Sequence, residues 1–324
     1  MKDIVMGYKF IGLILAIAIG AFSFGLYVAL FKTFPYEEAR SVYRFAKEMT
    51  KESKPQTAGI PYVVTREIAT HSLPLTVQSF DFQVEFNTPN KFGGMCNFGK
   101  TIFVADRFGT VYRHDRNTGK SLKTTFPALP DNRELVVKWL TDSRYGDFKL
   151  HDLECMKSQQ KYFLIAAHEY FDPALKQIRQ SLSRLEVNPN DWAAKGTWVR
   201  FFESTPIPKE IYGNGGGRLK ALAPDRILLA VGDYGQLGAN ASQNPATDFG
   251  SILEINIHTG RSQLFSYGHR NPSGIAVTRS GDMWATEHGP AGGDELNFLE
   301  RGRNYGWPLV TNGADYGFFS WRFS

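Results

Sequence analysis

Arg270 and Asn271 stand side by side in a polar, turn-rich stretch that covers residues 268–308. The guanidinium of an arginine presents a planar fork of donors to a carboxylate, and the carboxamide of an asparagine can hydrogen-bond a carbonyl. Gly, Pro and charged residues are poor core material, because turns need special backbone geometry and charges resist burial. We therefore expect this stretch to form a binding site on loops above a β scaffold. The structural alternative is a capped turn in which Arg270 pairs with a nearby carboxylate.

Short apolar runs separated by turn signals recur along the chain and must position these residues. Each unit contains an apolar inner strand, a polar turn, a second apolar strand that ends in an acidic or His residue, and an outer strand. Four such units are legible, at residues 93–120, 151–189, 215–260 and 274–302. Strand units that recur every roughly 40–60 residues are typical of propeller blades. The sequence therefore predicts an all-β propeller, with a further strand over Phe80–Phe86 and an insertion without a clear strand pattern over 120–150.

Three motifs carry a resemblance to a known family. They are GHRNP at 268–272, EHGP at 287–290 and NYGWP at 304–308, and in this order and spacing the chain closely resembles the glucose/sorbosone dehydrogenase family. The resemblance implies a six-bladed β-propeller that uses pyrroloquinoline quinone (PQQ) and calcium. It also implies that Arg270 and Asn271 contact PQQ, and that main-chain carbonyls of Gly289 and Pro290 hold the calcium ion. A plain turn is the alternative at Gly289 and Pro290, because no EF-hand spacing or carboxylate cluster accompanies them.

The general base of the family is missing from its expected position. In the family a His shortly before a Gly-Arg-Leu segment takes the hydroxyl proton, a role that suits imidazole because its pKa lies near neutrality. Here the segment over 212–219 reads YGNGGGRL and places Asn214 at that position. A carboxamide cannot replace imidazole as a base, so the sequence leaves the catalytic residue unknown. The nearest histidines upstream, His151 and His168, are expected to be structural, as is Asp233, which matches the family in type.

The N-terminal segment predicts the location of the protein. Ile11–Phe31 is a run of 21 uncharged residues, which at about 1.5 Å per residue can cross a hydrocarbon core of about 30 Å. The predicted domains are a transmembrane signal anchor over 1–32, a juxtamembrane helix and linker over 33–59, and the propeller over 60–324. A cleaved signal peptide is the alternative, although its apolar region is normally about 7–15 residues.

Orientation and completeness follow from the resemblance rather than from the residues. The positive charges after the apolar run would place that side in the cytoplasm, whereas the resemblance implies a propeller that faces the periplasm or cell exterior from the inner membrane, and we follow the resemblance. A six-bladed ring at this spacing needs more residues than follow Gly317. Because an open propeller exposes sheet edges, the propeller is expected to be incomplete, as in a C-terminally truncated family member, unless a partner supplies the missing blades.

Three functions are open at this point. The first is a membrane-anchored PQQ-dependent dehydrogenase that oxidises aldose sugars by hydride transfer and passes electrons to a respiratory quinone or cytochrome. The second, which Asn214 favours, is a catalytically silent propeller that binds a sugar or a protein partner. The third is a calcium-dependent lactonase-like hydrolase with Asp233, Glu287 and Asp294 as ligands. Nucleic-acid binding is not implied, because the formal net charge of +5 includes no basic stripe in the body of the chain.

Cys96 and Cys155 are the two cysteines of the chain. They occupy similar places in two successive units, and no metal-ligand spacing connects them. Two separate buried thiols are the default expectation, and a disulfide between neighbouring blades is the alternative in an oxidising compartment.

Overall fold

Antiparallel sheets that follow one another in sequence make up the described part of the chain. The computed structural model describes residues 63–69, 74–80, 92–140, 150–207, 213–235 and 241–314. A hairpin of strands β1 (Val63–Ala69) and β2 (Pro74–Phe80) comes first. The predicted anchor, juxtamembrane helix and strand beyond Phe80 lie outside the described residues and stay predictions. Among the residues that are described, no helix has the length and apolar character needed to cross a membrane.

Four sheets correspond to the four sequence units, and each is an antiparallel meander in chain order. Blade I consists of β3 (Phe92–Phe98), β4 (Thr101–Asp106), β5 (Val111–Asp115) and β6 (Ser121–Lys123). Blade II consists of β7 (Leu150–Ser158), β8 (Lys161–Asp172), β9 (Gln177–Val187) and β10 (Val199–Glu203). Blade III consists of β11 (Gly216–Ala223), β12 (Arg226–Val231), β13 (Ser251–Asn256) and β14 (Ser262–Tyr267). Blade IV consists of β15 (Pro272–Val277), β16 (Met283–Glu287) and β17 (Glu295–Phe298).

The first strand of each blade packs beside the first strand of the next. β3 contacts β7, β7 contacts β11, and β11 contacts β15. Repeated meanders whose inner strands are neighbours are the arrangement of a β-propeller, in which each blade buries its faces against the blades on either side. The all-β propeller predicted from the repeats is confirmed.

Three apolar layers hold consecutive blades together. The layer between blades I and II includes Phe103, Leu153, Leu164 and Leu185. The layer between blades II and III includes Ile165, Leu182, Ile227 and Leu253. The layer between blades III and IV includes Leu228, Ile252, Phe265 and Leu299. The second strand of a blade is buried on both faces, which explains its continuous apolar run, as in FLIAA of β8 and ILLAV of β12.

Each inner strand begins with an irregular register. The pairing of the first with the second strand shifts between Phe92 and Gly94 in blade I and between Leu150 and Asp152 in blade II. It shifts between Gly216 and Leu219 in blade III, and between Pro272 and Gly274 in blade IV. Such bulges re-aim side chains and are common beside active sites. The motifs GGGRL and GHRNP therefore lie at equivalent bulged ends of neighbouring strands.

The region 120–150 contains regular structure, so the expectation of an insertion without strands is wrong at its start. β6 completes blade I, and helix α1 (Arg133–Leu140) follows and packs on β8. Asp131 caps the helix, since its Oδ1 accepts a hydrogen bond from the Arg133 amide at 2.9 Å. Burial raises the pKa of the Asp131 carboxyl, against the opposing effect of the neighbouring Arg133 charge. Residues 141–149 lie outside the described part.

A disulfide joins the inner strands of blades I and II. Cys96 on β3 and Cys155 on β7 are bonded, with their Cα atoms 5.4 Å apart. The expectation of two separate thiols is therefore wrong. The reason is the repeat itself, because equivalent positions on adjacent inner strands come within disulfide reach when the strands pack side by side.

Candidate functional site

The GHRNP motif is built around a buried His–Glu pair at the crossing from β14 to β15. His269 is fully buried, and its Nδ1 lies 2.9 Å from Glu287 Oε2 while its Nε2 lies 2.9 Å from Ser266 Oγ. The ring also stacks on Tyr305, with 4.5 Å between the ring centroids. The other carboxylate oxygen of Glu287 accepts the backbone N–H of Arg270. Glu287 thus fixes the backbone from which Arg270 and Asn271 project.

Arg270 and Asn271 are held by different neighbours. The Arg270 guanidinium donates to the carbonyl of His288 at 3.1 Å and lies over the indole of Trp307, 5.4 Å from its centroid. The Asn271 Oδ1 accepts the backbone N–H of Gly216 at 3.1 Å, which ties blade IV to the first strand of blade III. This bond occupies the oxygen of the carboxamide and directs its NH₂ group away from Gly216, where it can donate to a ligand carbonyl.

Asp233 connects three of the motifs. It is 1% exposed. Its Oδ1 accepts from Asn214 Nδ2 at 3.1 Å and from the Gly235 amide at 2.9 Å, and its Oδ2 accepts from Trp307 Nε1 at 2.9 Å. Its own backbone N–H donates to the carbonyl of Arg270 at 2.8 Å. Burial raises the pKa of the Asp233 carboxyl above its ordinary value, and the three donors together with the Arg270 charge oppose that rise.

Asn214 lies at the centre of this network as a donor. Its backbone has a φ of +25°, and its Nδ2 donates to the buried Asp233 carboxyl at 3.1 Å. The side chain therefore faces the carboxylate that an imidazole at this position would also meet. A carboxamide in this place fills the space and satisfies Asp233, but it accepts no proton near neutral pH.

The Gly289–Asp294 turn is crowded with main-chain oxygens. The Gly289 amide donates to Asp294 Oδ1 at 3.1 Å. A Cβ atom at Gly289 would overlap the carbonyl oxygens of Gly292 and Gly293, so only glycine fits there. Carbonyl oxygens are hard ligands of the type that calcium takes. A cation held here would depend on them, because no three His, Cys, Asp or Glu side chains of the described ranges form a group that could hold a metal ion.

The lactonase-like hypothesis requires Asp233, Glu287 and Asp294 to converge on one metal ion. Asp233 and Glu287 each accept hydrogen bonds within separate networks, and the Asp294 side chain is 70% exposed. These three carboxylates do not assemble into a ligand set in the described part of the chain. Water activation by a metal, which needs converging ligands with an open coordination position, therefore has no support at these residues.

A small cavity is lined by residues from all three motifs. Its lining includes Arg270 from the first motif, Glu287, His288 and Gly289 from the second, and Tyr305 and Trp307 from the third. The sequence did not predict the contacts of Trp307 with Asp233 and Arg270. The NYGWP segment follows the other motifs in the right order, but no sequence signal reveals a hydrogen bond across 74 positions.

Comparison with known proteins decides the relationship. The model of the family described as Glucose / Sorbosone dehydrogenase matches residues 98–320, more than half of the chain. The chain belongs to the glucose/sorbosone dehydrogenase family. It is 37% identical over 126 residues to the aldose sugar dehydrogenase YliI of Escherichia coli, which covers 35% of this chain and 34% of that one. It is 44% identical over 128 residues to quinoprotein glucose dehydrogenase B of Acinetobacter calcoaceticus, which covers 31% of this chain and 27% of that one.

Solved structures of family members share the fold. The apo-form of the soluble aldose sugar dehydrogenase from Escherichia coli aligns with a TM-score of 0.54 and 22% identity, over 70% of this chain and 65% of that one. The PQQ-bound form of the aldose sugar dehydrogenase from Streptomyces coelicolor aligns with a TM-score of 0.53 and 24% identity, over 69% of this chain and 64% of that one. The matches to the two curated relatives span 34% and 27% of their lengths.

Proposed function

We propose that this family member binds PQQ and acts as a PQQ-dependent dehydrogenase of aldose sugars. The observation that carries the proposal is the network in which Asp233 gathers Asn214, Trp307 and the backbone of Arg270 beside the small cavity. Arg270 and its neighbour Asn271 support the proposal, because a guanidinium and a carboxamide offer donors that suit an anionic quinone with several carboxylates. PQQ supplies the two-electron acceptor chemistry when bound.

The residues of the chain would hold the cofactor in distinct ways. Arg270 pairs its charge with carboxylate or quinone oxygens while His288 O and the Trp307 ring fix its plane. Asn271 donates its NH₂ group to a carbonyl, because Gly216 already holds its oxygen. Gly289 and Pro290 contribute main-chain carbonyls to a calcium ion, in a turn where a Cβ at Gly289 would overlap further carbonyl oxygens.

The setting of this reaction is part of the proposal. The uncharged run Ile11–Phe31 anchors the chain in the inner membrane, with the propeller facing the periplasm or cell exterior. An anchored dehydrogenase can pass its electrons to a respiratory quinone or to a cytochrome.

A second candidate function rests on Asn214. A propeller that keeps the cavity but lacks the general base at this position would bind a sugar or a protein partner without oxidising it. This candidate predicts saturable binding without turnover, whereas the dehydrogenase predicts both.

An equilibrium titration of the full chain with PQQ tests the cofactor assignment. In the presence of calcium, we expect saturable binding, and we expect Arg270→Ala to weaken it by at least about tenfold, because a charge-assisted hydrogen bond contributes about 1.5–3 kcal/mol. Arg279→Ala is the matched control, since Arg279 is exposed in the hairpin between β15 and β16. Equal affinities of the wild type and Arg270→Ala would contradict the assignment of Arg270.

A further inference from the structure

The imidazole of His151 lies against the segment that carries Asn214. His151 is the second residue of β7, within the bulge of that strand, and its side chain is 8% exposed. A Cβ atom at Gly217 would overlap the Cβ and Cγ atoms of His151. A Cβ atom at Gly215 would lie 3.0 Å from His151 Cε1. The glycine run that follows Asn214 therefore makes room for this ring, which lies against the same segment as Asn214.

The partner of His151 is a buried carboxylate. The Nε2 atom lies 3.5 Å from Oε1 of Glu169, whose side chain is fully buried on β8. Within the described part of the chain, this buried Nε2 makes no hydrogen bond. A carboxylate beside one ring nitrogen selects the tautomer that carries its proton there, and leaves the other nitrogen as a proton acceptor. Glu169 thus favours a proton on Nε2 of His151 and leaves Nδ1 as the unprotonated nitrogen.

Two other buried histidines, His168 and His269, differ from His151 in their hydrogen bonds. His168 has its Nδ1 2.8 Å from the carbonyl of Glu169 and its Nε2 2.8 Å from Ser183 Oγ. Both ring nitrogens of His269 are likewise bonded, to Glu287 and Ser266. These two rings are fully used by the fold, whereas His151 is placed by close packing and a single carboxylate.

The hydroxyl of Tyr234 lies near Gly215, as the ring of His151 does. Tyr234 follows Asp233 in sequence, is 1% exposed, and its Oη would lie 3.1 Å from a Cβ atom at Gly215. Burial, followed by the charge of Glu169, raises the pKa of Tyr234 well above its ordinary value, so the hydroxyl stays protonated. The cluster of His151, Glu169 and Tyr234 thus combines an imidazole, an orienting carboxylate and a hydroxyl beside the Asn214 segment.

We propose that His151, oriented by Glu169, is the base that takes the hydroxyl proton of the sugar in this chain, in place of a residue at position 214. The proposal rests on the proposed dehydrogenase function. His151 Nδ1 would take the proton released when the hydroxyl O–H bond breaks. The hydrogen on C1 would leave with its electron pair, so that the sugar would lose two electrons to the PQQ of the proposed function and become a lactone.

The central test compares His151→Gln with the wild type in the full chain loaded with PQQ and calcium. General base catalysis contributes typically 10²–10⁴-fold, so we expect the rate of sugar-dependent PQQ reduction to fall by at least about 100-fold while PQQ affinity stays within about threefold. Asn214→His in the His151→Gln background is expected to restore at least about tenfold, because it places an imidazole on Asp233. His258→Gln is the control and retains the wild-type rate, because His258 lies in the turn between β13 and β14 and its ring bonds Ser158 Oγ at the end of β7.

A second readout needs no turnover. Imidazole ¹⁵N chemical shifts of the cofactor-free protein report which ring nitrogen carries the proton. We expect His151 to carry it on Nε2, and Glu169→Gln to change that distribution while the shifts of His258 stay unchanged. A proton on Nδ1 in the wild type would overturn the proposal.

The outcomes separate this inference from the proposed function. A wild-type rate in His151→Gln overturns the role of His151 and leaves the dehydrogenase intact. PQQ binding without sugar-dependent reduction in the wild type also overturns it, and leaves a cofactor site without a base. Failure of the wild type to bind PQQ overturns the proposed function, and this inference with it.

Discussion

At the scale of single residues, the buried carboxyl of Asp233 organises the site. Its carboxyl accepts hydrogen bonds from Asn214, from Trp307 and from the Gly235 amide two residues further along the chain. A carboxyl taken out of water is costly unless such donors satisfy it. The residue type of Asp233 is visible in the sequence, and so is that of Trp307. The bond between them is not, since it depends on how blades III and IV pack.

Removing the Trp307 donor should therefore destabilise the protein. We expect Trp307→Phe to lower the free energy of unfolding by about 1–3 kcal/mol, because the buried Oδ2 of Asp233 loses its partner. The pKa of Asp233 is already raised in the folded state, and a group of this kind stabilises most at low pH and less as pH rises through the folded value. The Trp307 N–H matters most when the Asp233 carboxyl is ionised, which is the case at the higher pH. The loss of unfolding free energy in Trp307→Phe should therefore be greater at pH 7 than at pH 4.

Denaturant unfolding of the full chain at the two pH values measures this effect. Trp284→Phe is the matched control, because Trp284 packs edge-on against Phe298 with 5.1 Å between the ring centroids. A loss in Trp307→Phe that is no greater than that of the control, or that does not depend on pH, would contradict the role given to Asp233.

At the scale of elements, the strands of blade II combine an apolar run with buried polar groups. The run in β8 was readable from the sequence because both of its faces are covered by neighbouring blades. β6 and α1 escaped prediction, since β6 has three residues and α1 has eight, too few for a clear period. The bulges that open each inner strand also leave no sequence signal apart from scattered glycines.

His168 on β8 gives this blade a pH dependence. Burial lowers the pKa of His168 to about 4 from an ordinary 6.5, so the folded protein holds it neutral while the unfolded chain takes up a proton below 6.5. Stability from this group is complete above about pH 6.5 and falls by about 1.4 kcal/mol per pH unit down to about pH 4. The full loss is about 3 kcal/mol.

Unfolding free energies between pH 7.5 and pH 4 test this prediction. His168→Gln is expected to be less stable at pH 7.5 but to lose less stability as the pH falls, since Gln does not titrate. His258→Gln, which removes a half-buried imidazole from the turn between β13 and β14 of blade III, is the control for the loss of a histidine side chain. An unchanged slope in His168→Gln would show that other groups cause the acid loss.

At the scale of the whole molecule, the repeat of strand units predicts the fold from the sequence but not the contacts between blades. The repeat of strand units predicted a propeller, and the structure places four blades side by side. The pairing of Cys96 with Cys155 could not be decided, because it needs the distance between two inner strands and not only their equivalence. The same holds for the cavity, whose lining comes from three motifs spread over blades III and IV and the loops beyond.

The disulfide should contribute strongly to the stability of blades I and II. It closes a loop with a sequence separation of 59, and the loss of unfolded-chain entropy for a loop of this size stabilises by at most about 4 kcal/mol. We expect Cys96→Ser/Cys155→Ser to unfold at lower denaturant concentration than the oxidised wild type. Dithiothreitol should destabilise the wild type and leave the double variant unchanged. Insensitivity of the wild type to reduction would contradict the structural role of the bond.

The most direct test of the proposed function is the absorbance of PQQ bound to the full chain, with calcium present, as an aldose is added. We expect saturable binding followed by sugar-dependent bleaching of the oxidised cofactor, at a rate that saturates with sugar concentration. Bound cofactor that no aldose bleaches would contradict the dehydrogenase and favour the silent propeller. Absence of saturable binding would contradict the cofactor site at Arg270 and Asn271 itself.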